Sequence, residues 1–143
     1  MSFFVKINAI SAIYALLLFV PIELMVNVYR LSRLTNVNID QMVIIIGLMS
    51  LMTLMSGSIG LFILTQKWLN GRKSSFWSVI LWVPYHVLYV FLFASIFPIT
   101  YGGDEPGPGT GFMILALLIL YPVYIFFINA AGLAYHDKQA PLS

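Results

Sequence analysis

The chain has 143 residues, of which 61% are hydrophobic and 8% charged, with a net charge of +2 and a mean hydropathy of +0.96. A soluble domain carries roughly 25% charged residues, so the composition excludes one and points to an all-α integral membrane protein, with the lipid bilayer as its first partner. The absence of cysteine excludes disulfides, thiolate metal sites and lipidated cysteine, and no basic run is long enough to bind nucleic acid.

A helix needs about 20 apolar residues to cross a hydrocarbon core. Four runs qualify, at approximately 7–29, 42–65, 76–99 and 111–134, and they predict a single membrane domain over 1–143, a four-helix bundle with short loops. The first run is too long for the apolar region of a signal peptide, contains Glu23 and Asn27, and lacks a small-residue cleavage site. Read as one helix, it places Glu23 on a face with Ala12, Phe19, Asn27 and Arg30. A carboxylate inside a span is penalised by about 2.5–3.5 kcal/mol, so it is expected to face the bundle interior or a wet cavity and to find a partner.

In the second run Gly47, Ser50, Thr53, Gly57 and Gly60 recur at spacings of three and four. They predict a helix-packing seam, the small-residue stripe by which helices approach closely in lipid. Met49, Met52 and Met55 fall on the opposite face. The third run carries Ser78, Trp82, Tyr85, Tyr89 and Phe93 along one face with His86 on its flank, and the fourth has Tyr121, Tyr124, Ala131 and Tyr135 on a face. Hydroxyls and ring nitrogens at that depth need partners, so a hydrogen-bonded interior among spans one, three and four is expected. Spans one and three run in the same direction and His86 lies near mid-depth. His86 is thus the expected partner of Glu23, with Asn27, Tyr85, Tyr89 and Arg30 as the alternatives, and Glu23, Asn27, His86, Tyr85 and Tyr89 make the expected buried polar group. Pro21, Pro84 and Pro122 each remove one hydrogen bond from a span and favour a bend there.

Lys6, Lys67, Arg72, Lys73 and Lys138 share one side of this topology, and only Arg30 and Arg33 occupy the other. The positive-inside rule then puts both termini in the cytoplasm and the acidic loop YGGDEPGPGTG outside, in a cell membrane of the bacterial inner-membrane kind. Paired carboxylates, zinc-binding and nucleophile-elbow motifs, phosphate loops and metal-ligand spacings are all absent from the sequence. GPGTG at 107–111 reads as a turn between spans, and adjacent His136 and Asp137 in the tail AYHDKQAPLS lack a third ligand. No catalytic residue, cofactor or metal is therefore expected.

In having four spans and a glutamate in the first, the chain resembles in plan the small multidrug resistance transporters. It departs from them in the residues around that glutamate, in its greater length and in a five-to-two basic bias that fixes one orientation. Two functions fit the sequence. In the first, a non-enzymatic protein binds another membrane protein as an accessory subunit, assembly factor or immunity-type protein, because minimal loops leave surface for binding and little machinery for chemistry. In the second, a homo-oligomer transports a small molecule with Glu23 as its titrating group.

Overall fold

The structure, a computed structural model, describes residues 1–139; the last residues of the tail, 140–143, lie outside the described residues. The described residues form five α-helices and two short 3-10 turns: α1 (Phe3–Val26), α2 (Val28–Thr35), α3 (Ile39–Leu69), α4 (Ser78–Ile96) and α5 (Pro108–Gln139), with the turns at Lys73–Trp77 and Gly102–Asp104. Among the described residues there is no strand. α1, α3, α4 with its leading turn, and α5 are each long and apolar enough to cross a membrane, at mean hydropathies of 2.0–2.5, consistent with a multi-pass membrane protein.

Helix ends follow local chemistry. Ser2 caps α1 by accepting from the Val5 backbone N–H, and Asn38 caps α3 by accepting from that of Asp40. Asn36 and Asn70 close α2 and α3 in the left-handed conformation, with φ of 56° and 47°. Gly71 follows at φ +63°, where a Cβ would stand 2.7 Å from the His136 ring, so the tight turn into α4 requires glycine. α4 ends at Ile96, just before Phe97-Pro98, because a residue preceding proline is driven out of the helical region.

α1 is the centre of the bundle. It packs against α3, α4 and α5, and 44% of its most apolar stretch is buried, against 11% for each of the other three long helices. Ile10, Tyr14 and Ala15 are wholly buried, while Leu16 faces outward. A smaller core of Val28, Met42 and Ile46 joins α2 to the start of α3.

Two expectations need correction. The first span does not continue as one helix to residue 29. It breaks at Asn27, where the backbone leaves helical geometry at φ −98° and ψ 15°, and α2 begins at Val28. Arg30 makes its hydrogen bonds to the Phe97 and Pro98 carbonyls and none to Glu23. The small-residue stripe of α3 is also not packed as a continuous seam. The buried side of α3 runs through Met42, Ile46, Leu61, Thr65 and Leu69, and positions that would hold a Cβ on Gly47 and Gly60 have nothing within 4 Å. Thr53 satisfies its hydroxyl on Met49 of its own helix, and the Ser50 hydroxyl has no hydrogen-bond partner. Gly57 alone among the stripe glycines faces a close neighbour, the Leu17 side chain of α1. Met49, Met52 and Met55 do face outward.

Gly57→Leu should therefore cost about 1–3 kcal/mol by overpacking against Leu17, whereas Gly60→Leu and Met52→Leu should shift stability by about 0.5 kcal/mol or less. Unfolding in detergent measures this, and equal losses for Gly57→Leu and Gly60→Leu would contradict it.

Candidate functional site

The interior polar groups are organised on the backbone of α1. From α4, Tyr85 donates to Asn8 Oδ1 (2.8 Å), Tyr89 donates to the Ala12 carbonyl (3.2 Å), and His86 Nδ1 faces the Ala15 carbonyl (3.4 Å). From α5, Tyr121 donates to the Tyr14 carbonyl. A helical carbonyl has a second lone pair beyond its i+4 hydrogen bond, so α1 accepts these groups without breaking its own ladder. With a carbonyl opposite Nδ1, a neutral His86 ring carries its proton there and leaves Nε2 as an acceptor. Around this ladder Trp82, Tyr121, Tyr14 and Tyr124 form edge-to-face and stacked aromatic contacts at centroid distances of 5.0–6.5 Å. Tyr124 also hydrogen-bonds Ser58 of α3. Nearer the termini, Asn129 of α5 donates to Ser78 Oγ (2.8 Å) and leans on the Ser75 carbonyl.

Glu23 does not join that ladder. His86 lies level with Ala15, eight residues along α1 from Glu23, which at 1.5 Å per residue is about 12 Å. The expected Glu23–His86 pair therefore does not form. Glu23 instead meets Asn27, whose side-chain amide donates to both the Glu23 carbonyl (2.9 Å) and the Glu23 carboxylate (3.2 Å). With both protons of that amide engaged, Asn27 Oδ1 is left buried and without a partner. The expected group thus divides: Tyr85, Tyr89 and His86 hold α4 to α1, while Glu23 and Asn27 form a separate pair. Glu23, Asn27 and His86 all line one cavity of about 590 Å³, walled by Val87 and Phe91 of α4 and Ile114 and Leu118 of α5.

A second cavity of about 650 Å³ lies on the other side of α5, between α1, α3 and α5. Gly47 and Ser50 line it together with Leu18, Leu54 and Leu117. The stripe residues Gly47 and Ser50 thus border open space instead of a helix. The two cavities flank the half of α5 nearest Pro108. Here Phe112, Met113, Leu115, Ile119 and Leu120 are more than half exposed, before the helix becomes anchored at Tyr121.

The most strongly paired charges lie at the end of the bundle away from the termini. Arg33 of α2 grips Asp104 through two hydrogen bonds, Nε to Oδ1 at 3.0 Å and Nη2 to Oδ2 at 2.6 Å. It also lies over the Tyr101 ring at 5.1 Å. Arg30 stands 3.8 Å from the same carboxylate and donates to the carbonyls of Phe97 (3.1 Å) and Pro98 (2.7 Å). It thereby caps the C-terminal end of α4, where carbonyls lack helical donors and positive charge is favoured. The bidentate geometry is the strong form of an arginine–carboxylate pair. This clasp joins α2 to the α4–α5 loop, and the sequence reading did not find it. Its one sequence signal is that the two basic residues of this side face a loop containing acids; the choice of Asp104 over Glu105 depends on the Gly102–Asp104 turn.

Among the described residues, no group of three His, Asp, Glu or Cys side chains is placed to hold a metal ion. No protein-family model, curated protein or solved structure matches the chain.

Hydrogen bonding to Arg33 holds the Asp104 carboxyl below its ordinary range, and the same bond raises the Arg33 guanidinium. A carboxyl that is more acidic in the folded state stabilises fully above its unfolded pKa of about 4, and that contribution is lost as pH falls through the lowered folded value. Asp104→Asn should therefore lower the thermal midpoint at pH 7 and flatten its fall on acidification below about pH 4. Parallel midpoint curves for the two proteins would contradict the clasp.

Proposed function

We propose that the chain is a multi-pass membrane protein of the bacterial inner-membrane kind, with both termini cytoplasmic, that acts without catalysis by binding another membrane protein as an accessory subunit, assembly factor or immunity-type protein. The orientation rests on the five bases at the termini end against Arg30 and Arg33 at the other. One observation carries the binding reading: the half of α5 between Pro108 and Leu120 stands with an apolar cavity on each side, both open to the bundle surface. Grooves of this kind receive apolar chains or helices.

Proton-coupled transport by a homo-oligomer is the second reading, favoured by the placement of Glu23 in a cavity with no base in ion-pair contact among the described residues. The packing toward the termini weighs against it. A pathway from Glu23 to that side would have to pass the Tyr14, Trp82, Tyr121 and Tyr124 cluster, and Tyr14 and Tyr121 are almost wholly buried there. A transport cycle would need this cluster to open.

A photo-crosslinking side chain at Met113, purified from the membranes that naturally contain the protein, should yield one discrete adduct with a foreign membrane protein. The native-detergent mass should be that of a stoichiometric complex, and Glu23→Gln should stay folded. A homodimer without foreign adduct, together with a folded Glu23→Gln protein that no longer supports proton-driven uptake, would replace the binding reading with transport.

A further inference from the structure

We infer that the groove between α4 and α5 seats a transmembrane helix of a foreign protein carrying a lysine or arginine at the depth of Glu23, an inference that rests on the partner-binding reading above. The groove is apolar along its walls but not at its inner side, where Glu23 and Asn27 lie together. Asn27 is 7% exposed, and its Oδ1 has no hydrogen-bond partner although its amide protons are both directed at Glu23. What the inner side offers is therefore the Glu23 carboxylate, which no base meets in an ion pair among the described residues, while the unpaired Asn27 Oδ1 is itself buried. The complement to a carboxylate in an apolar groove is a cation with several N–H donors, as lysine and arginine provide.

The chain cannot supply that cation from a second copy. Its bases Lys6, Lys67, Arg72, Lys73 and Lys138 belong to the other end of the bundle. Arg30 and Arg33 are held by Phe97, Pro98 and Asp104. A phospholipid fits poorly for a reason of charge order. From its tails outward a zwitterionic lipid presents phosphate and then amine. Here the carboxylate lies deeper and the arginines lie outside it, so a chain seated in the groove would bring its phosphate toward Glu23. A basic side chain on a helix has no such phosphate. Val87 and Phe91, at 61% and 66% exposure, mark the open side through which a helix would approach.

The test uses the full chain in phosphatidylcholine vesicles, whose headgroup has no N–H donor. The probe is a leucine–alanine host peptide with tryptophan anchors and one lysine level with Glu23, and its twin has norleucine there. Energy transfer from a dye on Gly107→Cys to a dye on the peptide reports association. The lysine peptide should associate about tenfold more tightly than the norleucine peptide, in line with polar contacts between helices in lipid. Glu23→Gln should abolish the difference, and Val87→Trp, which narrows the groove from its open side, should weaken both peptides, so the result does not depend on one variant folding. A preference that survives Glu23→Gln, or displacement of the peptide by dodecylammonium at equal mole fraction, overturns the inference. So does self-association of the protein that Glu23→Gln removes. Equal binding of both peptides overturns the charge selection alone and leaves partner binding standing, whereas binding of neither overturns both.

Discussion

The bundle depends on the backbone of α1 acting as a shared hydrogen-bond acceptor. In an apolar surrounding a buried hydroxyl or imidazole must find a partner inside the protein, and α4 and α5 bring three tyrosines and a histidine to the interior. Ala12, Tyr14 and Ala15 provide carbonyls, and Asn8 a side-chain oxygen, along a single stretch of α1. Because three of the four contacts couple a side chain of one helix to the backbone of another, they fix both rotation and axial register. α4 lies parallel to α1, with the Tyr85 and Tyr89 hydroxyls reaching back to Asn8 and Ala12, His86 at the Ala15 carbonyl, Phe93 against Phe19 and the end of α4 at Arg30.

The same register decides what happens at Glu23. Once His86 is committed to the Ala15 level, Glu23 has Asn27 as its hydrogen-bond partner, and Arg30 makes its hydrogen bonds to the end of α4 and not to Glu23. The carboxylate is thus left facing a cavity. α5 is held at Tyr121, Tyr124 and Asn129, from its middle toward its C-terminus, while its first part leans on the core through Ile114, Leu117 and Leu118 and follows the loop that the Arg33–Asp104 clasp ties to α2. The two cavities lie on either side of that first part. Clasp, ladder and grooves are therefore consequences of one arrangement.

Much of the fold was legible in the sequence because the apolar stretches are written in composition: four runs of sufficient length predict four helices long and apolar enough to cross a membrane, and four are present. The outward methionines of α3 and the inward aromatic face of α4 followed from helical periodicity. The break at Asn27 was not legible, since asparagine is tolerated within a helix and nothing in NVYRLSRLT enforces a stop. The small-residue stripe of α3 showed where another backbone could approach, but spacing does not say whether one does. Only Gly57 meets a neighbour, Leu17. The Glu23–His86 pairing failed on axial register, because eight residues of offset along a helix separate groups that a diagram of spans places side by side. The clasp joins residues 71 positions apart through a turn whose geometry no local pattern announces.

The acceptor role of α1 is most directly measured by isotope-edited infrared spectroscopy of a single labelled carbonyl. With the label at Tyr14, the amide I band should lie below that of a label at Leu16, which faces outward and receives only its helical hydrogen bond. Tyr121→Phe, which removes the donating hydroxyl and keeps the ring, should raise the Tyr14 band to the Leu16 position. A Tyr14 carbonyl that already coincides with Leu16, or that does not respond to Tyr121→Phe, would contradict the account.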